Sequence, residues 1–318
     1  MSKKTGVYNL HVLASYLKQN CSRKYEQLIE YSRFNVVNKQ EFNDCIASRI
    51  RQGGSFLAGK IGGTELKACV RYLGFRLWQY YFRRLSFDDE LERFSGIFPS
   101  TDTSYADFVK SFTNAIRQVD LLGVWFKPGE SNLISSFIPP HAIIGRLRGL
   151  EPYHISVRPW SRELAGKRVL ICSPFSNTIK QQIPNLKKIW LKYKTSVGIE
   201  LIPDCEFEIV KAPYGFTKET QAKYISWENV IDGLSREIFK KRFDIAIVGC
   251  GGIGLILSAM IKQKGYPVIH MGGPLQYLFG IYGRRWVLNN WGKKYINEYW
   301  VRPLQEDRPS TGGSGEYW

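Results

Sequence analysis

The sequence has no long apolar run. No stretch approaches about 20 uninterrupted apolar residues, the length that crosses a bilayer. The opening Met1-Ser2-Lys3-Lys4 leads into a mixed polar segment instead of an apolar leader core. The expectation is a soluble, cytoplasmic protein, with a peripheral membrane contact left open. Clustered cysteine is missing too: the six, at 21, 45, 69, 172, 205 and 250, include no C-x-x-C pair. Such spacing argues against a zinc site or a disulfide framework and for a reducing compartment. Acid is scarce, with 28 Asp and Glu against 45 Lys and Arg, a formal charge of +17. That balance favours anionic partners such as nucleotides, nucleic acid, phosphorylated glycans or an acidic membrane surface. The basic residues come in small groups such as Arg83-Arg84, Lys240-Lys241-Arg242 and Arg284-Arg285, never in a long run. A solvated surface is therefore a simpler reading than a nucleic-acid stripe.

What the sequence does contain is glycine turns between apolar segments. Phe243 to Trp286 reads as strand, glycine turn, helix, strand and second glycine turn. Gly249, Gly251 and Gly254 fit the G-x-G-x-x-G spacing, and a strand before and a helix after give that spacing meaning. Such a turn lets backbone approach a diphosphate and aims helix N–H groups at it. A nicotinamide dinucleotide site also needs an acid about 20 residues on, for the ribose hydroxyls. The second strand ends instead in Ile269-His270-Met271. A diphosphate ligand fits this stretch better than a dinucleotide does.

A second unit of this kind lies earlier. Phe56 to Ile61 reads as a short strand, Gly62-Gly63 as a sharp turn and Thr64-Glu65 as the start of a helix with Leu66, Val70, Leu73, Leu77 and Tyr80 or Tyr81 on its buried face. Glu65 is either a site carboxylate or a first-turn acid that complements the helix dipole. Before it, Leu10 to Leu28 recur at helical spacing over 8–31, and a helix is expected from Lys39 to Arg51. That first helix is either basic and membrane-bound or packed on the domain's own core.

Between 86 and 150 the pattern gives loop, helix (about Ser104 to Val119) and loop. Asp120 follows the helix, where an acid is unfavourable for the dipole, so a functional or hydrogen-bonded role is expected. The proline-punctuated stretch from Glu151 to Trp160 marks an internal boundary near 150–165. Arg168 to Cys172 is a buried strand leading into Ser173-Pro174-Phe175-Ser176-Asn177-Thr178, which suits ligand binding or equally a capped turn. Phe207 to Lys211 reads as a strand and Ala222 to Lys240 as a helix. The alternation predicts an α/β fold, Rossmann-like and doubly wound on a mostly parallel sheet. Helices over 1–54 would precede a catalytic domain over 55–302, and a polar tail over 303–318 would dock on the body or stay free.

Several of these stretches together resemble one family. Lys60-Ile-Gly-Gly-Thr-Glu65 is similar to the R-F-G-D-G-E-type turn of GT-D-type glycosyltransferases. Glu151-Pro-Tyr, Pro159-Trp-Ser, Gly166-Lys-Arg-Val-Leu, Ser173-Pro-Phe, Lys211-Ala-Pro, Val248-Gly-Cys-Gly, Ile269-His-Met-Gly-Gly, Leu278-Phe-Gly-Ile, Arg285-Trp and the closing Tyr317-Trp318 resemble a widespread, mostly uncharacterised branch of that group. The resemblance runs over roughly residues 50 to 318. It implies transfer of a sugar from a nucleotide-diphosphate donor, such as a UDP- or GDP-sugar, to a glycan or glycoconjugate acceptor. In that family the acids of the D-x-E turn help bind a divalent ion, Mg²⁺ or Mn²⁺. Here Gly63 stands at the Asp position, which leaves Glu65 as the one metal-binding candidate.

On this reading the leaving diphosphate sits against Ser173, Phe175, Ser176, Asn177 and Thr178 and the turns at Gly249, Gly251, Gly252, Gly272 and Gly273, with Gly62, Gly63 and Thr64 opposite. Glu65 and Asp120 are the catalytic candidates, with Asp102 and Glu151 behind them. Trp125, Trp286 and Trp318 stack on a base or sugar, or belong to the core. Two other readings stay open. One is a non-catalytic basic α/β module that binds nucleic acid or an anionic polymer. The other is an NAD(P)-dependent oxidoreductase, with Arg284 or Arg285 on a 2′-phosphate.

Overall fold

Short strands with both faces apolar predict a parallel sheet buried between two helical layers. In the computed structural model, which describes residues 31–74, 87–288 and 290–309, alternation along each strand sorts side chains to two cores. Val169 and Ile171 enter one and Leu170 and Cys172 the other; Ile245 and Ile247 part from Ala246 and Val248 in the same way. The strands are β1 (Val36–Val37), β2 (Leu57–Gly59), β3 (Leu121–Val124), β4 (Ile143–Arg146), β5 (Arg168–Ser173), β6 (Glu206–Lys211), β7 (Ile245–Val248) and β8 (Val268–His270). They form one sheet in the order β1-β4-β3-β2-β8-β7-β5-β6, with every pairing parallel.

One face is covered by helices Gly63–Tyr72, Asp102–Ile116, Trp227–Phe239 and Gly254–Gln263. The other carries Lys39–Gln52, Ser176–Gln182, Leu191–Val197 and Pro274–Leu278. The fold is therefore α/β, Rossmann-like and doubly wound. Several aromatics of the family-like motifs pack into the second core. Tyr153 stacks on Trp190 with ring centroids 5.8 Å apart, and Trp190 meets Trp300 at 5.3 Å. Tyr277 lies 4.9 Å from Trp286.

The stretch from 86 to 150 is richer than loop, helix and loop. Besides Asp102–Ile116, which starts from a Thr101 cap, it holds helices Phe87–Ser95 and Glu130–Phe137 and strands β3 and β4. The helix expected over Ala222–Lys240 is two, Lys218–Lys223 and Trp227–Phe239, because Ser226 between them is extended (φ −151°, ψ 169°). The proline-rich link from 151 to 165 is a pair of 3₁₀ turns, Pro152–His154 and Trp160–Leu164, that carries the chain from β4 to β5. The sheet is continuous across that link, since β2 pairs with β8. The helix expected over 8–31 lies outside the described residues except for Tyr31, as do Leu77, Tyr80, Tyr81 and the 310–318 tail with Trp318.

Helix Lys39–Gln52 opens with a capping box between Asn38 and Glu41 and stops at Gly53 in a positive-φ conformation (φ 73°). Its Phe42 lies so close to β4 that a Cβ on Gly145 would fall 2.2 Å from the ring. Phe42 is fully buried and cannot yield. Gly145→Ala should therefore cost about 1–3 kcal/mol, read as a lower urea midpoint with an unchanged slope.

Candidate active site

A cavity of about 790 Å³ opens at the carboxyl ends of the strands. It spans the junction of β2 and β8, where chain connections run off in opposite directions. Open α/β sheets bind ligands at such a switch point. Residues following seven strands line it: β2, β3, β4, β5, β6, β7 and β8.

Two glycine turns come together at its floor. A Cβ on Gly249 would lie 2.6 Å from the Gly272 carbonyl oxygen and 2.9 Å from Leu275 Cβ, so only glycine lets the two turns touch. Gly251 and Gly272 have φ of 66° and 64°, a region that favours glycine. Gly254 serves packing: its Cβ would sit 2.5 Å from the His270 ring. Helix Gly254–Gln263 starts here, and its first N–H groups have no intrahelical acceptor.

The third turn brings the carboxylate. Glu65 lies in the first turn of helix Gly63–Tyr72 and is 9% exposed. Its side chain folds back over Gly62, where a Cβ would fall 1.9 Å from Oε2, so glycine there makes room for the acid. The Ser95 hydroxyl donates to Glu65 Oε1 at 2.6 Å. Oε1 also lies 3.1 Å from where a Gly252 Cβ would stand, so acid and glycine turn share one wall.

Lys60 sits between the two. Its ammonium is 5.3 Å from the Trp125 ring and 3.2 Å from the Cβ position of Gly272. Burial holds the Lys60 pKa below its ordinary value; Glu65 works against that shift and Arg285 adds to it. His270, at the end of β8, is pushed down to about 3 by burial and then by the Lys60 charge, so its imidazole is neutral. Its Nδ1 is buried with no hydrogen-bond partner among the described residues. The lining carries six Lys and Arg side chains against three Glu, which makes the cavity electropositive.

The structure brings Gly62, Gly63, Thr64, Glu65, Phe175, Gly249, Gly251, Gly252, Gly272, Gly273, Trp125 and Trp286 to this one cavity. Glu151 lines it as well, bonded to Arg148 at 2.9 Å and His154 at 3.0 Å. The rest of the expected donor site faces elsewhere. Ser173 is buried and its hydroxyl accepts from the Phe175 N–H; Ser176 is buried behind it. The Asn177 and Thr178 N–H groups and the Thr178 hydroxyl donate to Asp307, at 3.3, 2.6 and 2.7 Å. A carboxylate of the chain itself thus occupies the helix end expected to hold a diphosphate.

Asp120 is corrected more sharply. It precedes β3, at the amino ends of the strands and across the sheet from the cavity. It accepts from the Leu57 N–H at 2.8 Å and pairs with Lys262 at 2.7 Å. Structural bonding accounts for it, with His141 Nε2 a further neighbour at 3.6 Å, and it lies outside the cavity lining. Asp102 is exposed on the first turn of its helix, outside the cavity lining. Arg285 lines the cavity, whereas Arg284 is exposed outside it.

Sequence reasoning also passed over Glu130. It is fully buried, and its Oε2 accepts from the Tyr31 hydroxyl at 2.7 Å and from the Trp125 and Lys127 N–H groups at 3.3 and 3.2 Å. These bonds hold the turn after β3, where Phe126 has a φ of 60°, costly for a side chain with a Cβ. Burial raises the Glu130 carboxyl to about 7, against those donors. The signal was an acid just past Lys127-Pro128-Gly129, one residue into a helix.

Two measurements follow. Asp120→Ala should cost about 1–3 kcal/mol, because it leaves the Leu57 N–H without its acceptor while Lys262 keeps the Gln118 carbonyl, and should leave ligand affinity at the cavity unchanged. Glu130 has a folded pKa raised from 4.5 to about 7, so its contribution is full below pH 4.5 and is lost as pH rises through 7. Glu130→Gln keeps a neutral isostere and should gain on the parent between pH 4.5 and 8, by on the order of 3 kcal/mol at most, read from urea midpoints at both pH values.

No protein-family model matches the chain, and no curated protein matches it. A solved structure described as a selenomethionine-substituted domain of unknown function 1792 (DUF1792) is similar at 13% identity, over 89% of this chain and 96% of that one, with a TM-score of 0.44.

Proposed function

We propose that the chain is a glycosyltransferase that moves a sugar from a nucleotide-diphosphate donor to a glycan or glycoconjugate acceptor. One observation carries the reading: in a single electropositive cavity, two touching glycine turns and Lys60 stand beside a buried carboxylate, Glu65. The resemblance of the Lys60–Glu65 turn and the later motifs to GT-D-type enzymes supports it. The nucleoside diphosphate rests on the turns at 249–252 and 272–273, where backbone N–H groups and the Lys60 ammonium gain most as charge develops on the leaving oxygen. Phe175, Tyr214 and Phe216 on the β5–β6 flank offer ring faces for the base.

The acceptor oxygen attacks the anomeric carbon, the bond from that carbon to the diphosphate oxygen breaks, and its electron pair leaves with the diphosphate. Glu65 takes the acceptor's proton, held in place by Ser95. His270 is neutral, so it adds no competing positive charge beside Lys60.

Gly63 replaces the turn's Asp, so of that turn only the Glu65 carboxylate could hold the divalent ion that the resemblance implies, with waters and the donor's phosphates completing its shell. No step here is routed through it.

A panel of UDP-, GDP- and other nucleotide sugars, scored by thermal stabilisation and donor hydrolysis, tests the reading. Glu65→Gln should keep donor binding and lose at least about 100-fold in transfer. Unchanged turnover in that variant removes Glu65 from the reacting atoms, and a panel in which no donor binds overturns the reading.

A further inference from the structure

The cavity is wider than one donor requires. From β4 to β6 its mouth crosses six strand spacings of about 4.8 Å, so about 29 Å in all. The glycine turns and the Phe175, Tyr214 and Phe216 rings take the β8–β6 half. The other half, over β3 and β4, is built differently. Lys60 faces the Trp125 ring at 5.3 Å, and Lys127, outside the cavity lining, faces the same ring at 5.1 Å. Next to Trp125, the Phe126 ring lies 5.9 Å below the Arg146 guanidinium. Cation and aromatic groups thus alternate from the cavity centre toward the β4 end.

The charges in this half are not used up. Glu90 is paired with Lys67 and Glu151 with Arg148, while Glu65 is held by Ser95. Arg146 is exposed at the end of β4 and has no carboxylate partner among the described residues. Three strand spacings, about 14 Å, separate β4 from β8 and its glycine turn. A diphosphate on the glycine turns leaves this cation unsatisfied.

We propose that Arg146 receives an anionic group on the second substrate: the acceptor is a phosphate- or carboxylate-bearing sugar that lies on Trp125 with its negative group on Arg146. An aromatic face suits a sugar ring, and a guanidinium suits the planar or tetrahedral oxyanion beside it. The proposal rests on the glycosyltransferase reading and identifies its acceptor class.

The test uses the full chain with UDP or GDP present and titrates three probes: glucose 6-phosphate, glucuronate and glucose. The two sources of negative charge are separate arms, and binding of either anion at least about tenfold tighter than glucose supports the proposal. Arg146→Ala should weaken the preferred anion about tenfold, the value of one charged hydrogen bond, and leave the affinity for UDP or GDP within twofold. Arg146→Lys should restore part of the loss. Equal affinity for glucose, no binding of any probe, or anion binding unchanged in Arg146→Ala overturns the proposal. Loss of UDP and GDP affinity in Arg146→Ala also overturns it, because the arginine then serves the donor. If neither nucleotide binds the parent protein, the donor reading fails by itself, and the anion titrations still report on Arg146.

Discussion

The site depends on the pairing of two three-residue strands. β2 and β8 meet only at Leu57 with Val268 and Ala58 with Ile269, with one further bond from the Val268 N–H to the Phe56 carbonyl at 2.8 Å. That contact joins two half-sheets whose connections run apart, and so places the Glu65 turn beside turns some 190 residues later. Close approach is required on both strands. A Cβ on Gly59 would fall 3.2 Å from His270 Cβ, so the end of β2 must be small for the two halves to meet. Asp120 secures the opposite end by holding the Leu57 N–H and Lys262.

Electrostatics in the cavity follow from that closeness. Low-dielectric walls strengthen every charge they face. Lys60 keeps its place beside Glu65, while His270, buried at the cavity wall next to the Lys60 charge, is forced neutral. Glu130 orders the floor from beneath: its buried carboxyl spans the strained turn at Phe126 and so sets where the Trp125 ring stands. The cavity therefore combines exposed cations with a rigid polar floor, an arrangement suited to anions that must be oriented as well as held.

Local pattern made much of this legible. The strand-glycine-helix units at 57–72 and 245–263 were readable because glycine turns and apolar runs are short-range signals. β1, β3 and β4 were not, since strands of two to four residues carry too little periodicity to separate from loop unless a glycine turn directly follows, as it does after β2 and β7. The break at Ser226 was missed because a serine inside a helical pattern is both a tolerated residue and an N-cap. Asp120 shows where the inference from local sequence stops. Its awkward place after a helix correctly signalled a bonded acid, but its partners are 63 and 142 residues away.

The same division applies to the site as a whole. Which segments are turns, and that Gly249, Gly251 and Glu65 sit at the starts of helices, follows from residue types at fixed spacing. That Asp307 caps the helix after Phe175, that Ser95 holds Glu65 and that Arg146 stands over Phe126 at the far end of the cavity follows only from how the strands are ordered. Strand order is settled by packing among residues distant in the chain, where Phe42 against Gly145 and Gly249 against Gly272 leave room for one arrangement and no spacing rule records it.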